Sequence, residues 1–364
     1  MKKDIIQKLP TPCFVFNAEQ FCRNYHGFSE ALGLNGIIGY SVKTNRNEAV
    51  LKTVLRLGAM AEVVSAEEYR LARQIGFDIN KIIYNGPLKD IETFREAMNG
   101  GAVVNIESWR EIDWLRDVNP RGVGLRISIN VSELSPKDAV KADDTSRFGF
   151  DDASGEVAEA IRSITAIPGM SVSGLHLHRS TDSRRVDFYR SLARYAVEIC
   201  EKHGLNPQYI DFGGGYHAPG PGRPTGSHYI NAIAGILGES VLSQCRIIIE
   251  PGNGLVSNTF TYVTEVIDAK HGHVTVDGSR NDIDPIYRRM NYKREIVRFN
   301  PPGEIAIRQT VGGCTCMERD VLMELTDLPA LQTGDRIVFR EVGAYTVALA
   351  PSFIRKPARI NVKT

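Results

Sequence analysis

Short apolar runs rich in valine and isoleucine recur along the chain as far as residue 254, and most close on a polar residue or a glycine turn. They are IIGYSVK (37–43), AMAEVVS (59–65), KIIYNG (81–86), AVVNIE (102–107), GVGLRISI (122–129), SVSGLHLH (171–178), YIDFGG (209–214) and RIIIEPG (246–252). Each has the length of a buried strand. Between them lie stretches with helical spacing of apolar positions, as at 47–57, 66–76, 91–99 and 156–163. The first spacings are about 20 residues, near the minimum for a strand, a helix and two short loops. Eight such repeats predict an α/β fold, a parallel (β/α)8 barrel over residues 14–254.

Beyond residue 254 the texture changes. Segments 263–276 and 335–350 alternate β-formers with polar residues, and Gly278, Gly303, Gly312, Gly313 and Gly334 punctuate them. This pattern predicts an antiparallel β-domain over 255–364, joined by residues 1–13, with 8–15 able to enter its sheet. Lysine and arginine number 44 against 43 aspartates and glutamates, a net charge of +1. Such a balance argues against a protein whose main business is holding nucleic acid or an anionic membrane. No apolar run approaches the ~20 residues of a membrane helix, and the start MKKDIIQKLPTP lacks a signal-peptide core. Six scattered cysteines do not make a disulfide framework in a chain this long, so a reducing cytoplasm is the expected compartment.

Barrel active sites lie at the C-terminal ends of the strands. Lys43, Glu62, Asn85, Arg126, His178, Gly213, Gly214, Gly215 and Glu250 all fall near those ends. A lysine at the mouth is placed for desolvation and imine chemistry, or simply for lying along the rim. The run DFGGGY (211–216) lets backbone approach an anion and aim N–H groups at phosphate, or serves as a flexible turn. Glu250 follows three isoleucines, where a carboxylate needs a partner: a protonated heterocyclic nitrogen, or a neighbouring arginine. His176 and His178 share one face of a strand, suited to stacking on a flat cofactor or to core packing. Cys314 and Cys316 lack the spacing of a zinc knuckle and no second compact ligand pair exists, so no metal is expected. Cys316, in a glycine-opened loop, is a candidate proton donor, and the Tyr345 hydroxyl a candidate phosphate ligand; inert packing is the alternative for each.

Taken in order, YSVKTN (40–45), AEVVSAEE (61–68), YNGP (84–87), SRFGF (146–150), GLHLH (174–178), DFGGG (211–215), EPG (250–252), CMERD (316–320) and GAYT (343–346) resemble the fold-type III pyridoxal-phosphate decarboxylases. That is the family of diaminopimelate and ornithine decarboxylases, and the resemblance spans nearly the whole chain. It implies pyridoxal 5′-phosphate as cofactor, carried as an imine on Lys43, with His178 stacked on the ring and Glu250 keeping the ring nitrogen protonated. Glu62 and Arg126 join the cofactor-binding set. Gly213, Gly214, Gly215, Gly252 and Tyr345 match the phosphate cradle. Cys316 matches the cysteine that reaches the site from the partner subunit of a head-to-tail homodimer, so active sites would be shared.

The departures bear on substrate. Asn253 stands where the family usually has an arginine, and His178-Arg179-Ser180-Thr181 replaces the usual H-x-G-S turn. Arg179 is therefore expected to supply the missing phosphate cation, with Thr181 beside it. Diamine-forming members carry an acidic residue after the cysteine, whereas this chain has Met317, with Glu318 and Arg319 as further candidates to read the distal group. The C-M-E-x-D wording is closest to the subgroup of the microcin C7 maturation decarboxylase and related siderophore or natural-product enzymes. The resemblance thus points to decarboxylation of a modified amino acid, free or tethered to a carrier. Diaminopimelate decarboxylation, amino-acid racemisation and a cofactor-free regulatory role are the competing expectations.

Overall fold

All eight apolar runs become strands of one barrel. A computed structural model describes every residue except 1, 35, 120, 239, 241, 242, 288–291 and 364. After β1 (Cys13–Asn17) come β2 (Ile37–Ser41), β3 (Met60–Ser65), β4 (Ile82–Leu88), β5 (Val103–Ile106), β6 (Gly122–Arg126), β7 (Ser171–His176), β8 (Tyr209–Asp211) and β9 (Arg246–Ile249). Strands β2 to β9 pair in parallel in chain order. The ladder closes where Ile37 and Ile38 of β2 meet Ile248 and Ile249 of β9. The intervening helices start where the sequence offers a cap. Ser65 accepts the Glu68 N–H ahead of helix Ala66–Ile75, and Asp90 accepts the Thr93 N–H ahead of Ile91–Gly100.

Inside the barrel, Met60, Ile83, Tyr209 and Ile248 pack into one cluster. Two residues further along the same strands stand Glu62, Asn85, Asp211 and Glu250, all buried. A strand returns to the same face every second residue. The barrel interior therefore turns from apolar to polar in a single step, and that step makes the floor of the site.

The chain divides into two compact units: Cys22–Lys43 with Glu48–Leu255, and Met1–Phe21 with Thr44–Asn47 and Val256–Thr364. In the second unit, β10 (Phe260–Lys270), β11 (His273–Val276), β12 (Arg294–Val297), β13 (Ile305–Gly312), β14 (Val321–Pro329) and β15 (Arg336–Arg340) lie in the order β12-β15-β10-β11-β13-β14. Strand β1 pairs with β10, and β16 (Arg359–Lys363) with β1. Two boundaries differ from the expected ones. The barrel unit starts at residue 22 rather than 14, because Cys13 and Val15 bury against Val263, Val297 and Val338 of the sheet. The second sheet is the expected antiparallel one, with two parallel pairings, β1–β16 and β11–β13, added to it. The alternating stretch 335–350 forms a strand only as far as Arg340. No helix among the described residues is long and apolar enough to cross a membrane.

Candidate active site

Lys43 sits in a single 3-10 turn that follows β2 directly. Its Nζ lies 3.3 Å from Oε2 and 3.5 Å from Oε1 of Glu62. Glu62 is held by further donors: Ser41 Oγ at 2.5 Å and Asn85 Nδ2 at 3.2 Å. Asn85 Nδ2 also donates to Glu250 Oε1 at 2.6 Å. One amide thus joins the carboxylate beside the lysine to the carboxyl that follows β9.

Among the described residues no arginine pairs with Glu250, the alternative expected from the sequence. The Glu250 carboxyl lies instead within 4.8 Å of that of Asp211, the last residue of the neighbouring strand β8. Burial, then the Asp211 and Glu62 charges, push the Glu250 carboxyl well above the usual range. Burial is also the main force raising Asp211. His176 completes the cluster, with donor atoms of the three residues within 4.8 Å of one another. Two buried carboxyl groups so placed can share one proton between them.

Asn105 on β5 is the hub below. Its Nδ2 faces Asn85 Oδ1 at 2.7 Å, His176 Nδ1 at 3.2 Å and Asp211 Oδ2 at 3.4 Å, while its Oδ1 accepts the Tyr209 hydroxyl at 2.9 Å. His176 is kept neutral by burial, with the Arg126 charge adding to the effect, and its Nε2 is buried without a partner.

His178 follows β7, and its Nδ1 accepts the Gly214 N–H at 3.2 Å. Burial, and then the Lys43 and Arg126 charges, hold it neutral as well. Gly213 has a φ of +59°, and a Cβ there would overlap the His178 ring. At Gly214 a Cβ would come within 2.6 Å of the Glu250 carbonyl oxygen. The Gly213 N–H donates to Asp211 Oδ1 at 2.9 Å. The expectation that consecutive N–H groups all point at phosphate is therefore corrected for Gly213 and Gly214. Their donors are committed within the protein, and these two glycines serve close packing.

Arg126 donates to Glu107 at 2.7 Å and lies over the Phe148 ring of the SRFGF segment, with its Nε buried and unpartnered. Arg179 donates to Asp144 at 2.5 Å. Its charge is paired there, while its Nε is buried without a partner among the described residues. Thr181 accepts the Arg184 N–H in a local turn. Gly252 opens a short helix, and Asn253 Nδ2 donates to the Tyr216 carbonyl at 3.3 Å.

The other expected residues belong to the second unit. Cys316 is exposed and Cys314 half-buried, with Arg355 Nε 3.4 Å from the Cys314 sulfur. Asp320 pins their loop by accepting from Thr315, Ser279 and the Arg280 N–H. Met317 is partly buried, Glu318 and Arg319 are exposed, and the Arg319 guanidinium lies over Tyr287. Tyr345, in the left-handed region and exposed, donates its N–H to the Thr44 carbonyl at 2.9 Å.

Asp211 and Asn105 were not among the residues expected to form the site. Their signal is parity: each is a polar residue at an inward position of a barrel strand.

Residues 18–257 match the pyridoxal binding domain of the pyridoxal-dependent decarboxylases. A probable chloroplastic diaminopimelate decarboxylase of Oryza sativa subsp. japonica is 31% identical over 94% of this chain and 73% of its own length. The L-glutamyl-[BtrI acyl-carrier protein] decarboxylase of Niallia circulans is 25% identical over 98% of this chain and 90% of its own. Among solved structures, a diaminopimelate decarboxylase from M. jannaschii superposes with a TM-score of 0.87 at 23% identity, covering 100% of this chain and 89% of that one.

Proposed function

This chain belongs to the pyridoxal-dependent decarboxylases, and from that premise we propose that it removes the α-carboxylate of an amino acid whose distal end is modified or bulky. It is a lyase, and its cofactor is pyridoxal 5′-phosphate. The residues at the barrel mouth suit that group. An aldehyde calls for an amine, which Lys43 offers, and a pyridine nitrogen calls for an acid, which Glu250 offers. The buried, unpartnered Nε of Arg126 and Nε2 of His176 are further polar atoms without a protein partner. Lys43 would hold the cofactor, His178 would lie along its ring, and Glu250 would face the ring nitrogen. Gly215, Gly252, Asn253 and Tyr345 would stand around the phosphate. Bound there, the cofactor supplies an electron sink for the pair left by departing carbon dioxide.

The protein's own contribution is positional. Glu62 orients the Lys43 amine, and Asn85 ties Glu62 to Glu250, so amine and acid move as one frame. His178, held neutral, offers a flat face without adding a cation. Cys316, an exposed thiol, is the candidate donor of the proton that replaces the carboxylate. In this reading the active form is a head-to-tail homodimer, each chain lending Cys316 to the site built on the other chain's Lys43.

The chain of hydrogen bonds from Lys43 through Glu62 and Asn85 to Glu250 is the observation that carries the decarboxylase reading. Met317 supports a specialised substrate, because a thioether cannot hold a distal ammonium as a carboxylate does. Glu318 and Arg319, both exposed, would read a polar distal group. One relative is named for a glutamyl group on an acyl-carrier protein, which makes a tethered substrate part of the reading. The test is carbon dioxide release across free, modified and carrier-bound amino acids. Lys43→Ala is expected to lower the rate at least about a thousandfold, and no release from any substrate by the cofactor-loaded protein would overturn the proposal. Relatives named diaminopimelate decarboxylase favour a second reading, lysine formation. Growth rescue of a lysine auxotroph selects it.

A further inference from the structure

We propose that Asp211 and Glu250 act as one acid that holds a single proton below the barrel mouth, making Asp211 the positioning residue that sets how strongly Glu250 keeps a basic nitrogen charged. The inference deepens the cofactor assignment and rests on it only for the identity of that nitrogen.

The geometry comes first. Asp211 ends β8 and Glu250 follows β9, and the two carboxyl groups lie within 4.8 Å of each other. Both side chains are buried, at 0% and 2% exposure. Ionised carboxylates only accept hydrogen bonds, so two carboxyl groups this close can bond to each other only if one of them carries a proton. The remaining partners are neutral donors: the Gly213 N–H and Asn105 on Asp211, and Asn85 on Glu250.

Among the described residues no cation is paired with either carboxyl, and the Lys43 charge only partly offsets the upward push on Glu250. From β2 the Lys43 ammonium is paired with Glu62 of β3, which adds a further anion to the surroundings. From β6 the Arg126 guanidinium is paired with Glu107. From β7 the imidazoles of His176 and His178 are neutral, and Tyr209 and Tyr216 stay un-ionised because burial pushes their hydroxyls upward. Two bare carboxylates side by side in such a place repel each other and lack water, and retaining one proton relieves both costs. The upward shift of both carboxyls agrees with this.

The functional consequence is a proton transfer that balances. A basic ring nitrogen seated against Glu250 takes the stored proton, one N–H bond forming as one O–H bond breaks. Both carboxylates are then ionised around an N–H cation. Asp211 would supply the second negative charge that keeps that nitrogen protonated.

Infrared titration of the full-length protein, before and after pyridoxal phosphate loading, tests this. Before loading, the wild type should show the C=O stretch of a protonated carboxylic acid at neutral pH. In both Asp211→Asn and Glu250→Gln its midpoint should fall by at least about one pH unit, a tenfold change in proton concentration. Other carboxyls raised by burial, Glu111 and Asp282, occur in every sample and cancel in the difference spectra. After loading, the acid band should vanish in the wild type. The alkaline shift of the visible absorption should come at least about one pH unit earlier in Asp211→Asn, with kcat down about tenfold and KM within about threefold. Absence of the acid band in the unloaded wild type, or an unchanged midpoint in both variants, overturns the proposal. Failure to take up pyridoxal phosphate at all would instead strike the cofactor assignment, and the unloaded spectra would still decide the shared proton.

Discussion

The Lys43 ammonium lies 3.3 Å from Oε2 of Glu62, a carboxylate sealed from solvent while the lysine side chain remains 35% exposed. The buried partner is the fixed one. Ser41 and Asn85 hold Glu62 from two other directions, so the lysine is steered by a carboxylate that cannot follow it. A flexible side chain is thereby aimed without being buried.

Replacing that carboxylate with its amide should therefore separate aim from attachment. Glu62→Gln keeps the shape of the site but removes the charge beside Lys43. Borohydride reduction should still label Lys43 in the cofactor-loaded variant, while kcat/KM for carbon dioxide release falls about tenfold to a hundredfold. Unchanged kinetics would show that the ion pair has no role in positioning.

Gly213 adopts a φ of +59° against the His178 ring. Gly213→Ala adds left-handed strain and an overlap with His178, together costing about 1–3 kcal/mol of stability. Denaturant unfolding should show that loss together with weaker pyridoxal phosphate binding, because His178 must move. Wild-type stability and affinity would show that the loop relaxes without disturbing the histidine.

Away from the mouth, Lys89 and Glu111 form an ion pair with both side chains at 0% exposure, and Lys89 also donates to the Gly86 carbonyl at 2.7 Å. Lys89→Met leaves the Glu111 charge buried without its cation, which should cost about 3–5 kcal/mol. Chemical denaturation measures it, and a loss below about 1 kcal/mol would mean that Glu111 simply takes up a proton.

The cysteines should divide by reactivity. Burial pushes the Cys13 thiol up to about 11 and the Cys200 thiol up to about 12, whereas Cys316 is exposed. Thiolates are the reactive form. Brief iodoacetamide treatment of the folded protein at neutral pH, read by peptide mass spectrometry, should modify Cys316 well before Cys13 or Cys200. Comparable labelling of all three would indicate an opened fold.

Local pattern alone foretells the barrel, because each of its strands is a short apolar run whose register repeats every second residue and whose helices begin at cap residues such as Ser65 and Asp90. Lys43, His178 and Glu250 were legible for the same reason: they stand where such strands end. Barrel closure decided the rest. It brings Asn105, His176, Asp211 and Glu250, far apart in sequence, into one hydrogen-bonded cluster, and no periodicity records which of them touch. Pairing likewise sent β1 into the second sheet and Arg179 to Asp144, since a charge or an unpaired edge is satisfied by whichever partner folding brings near.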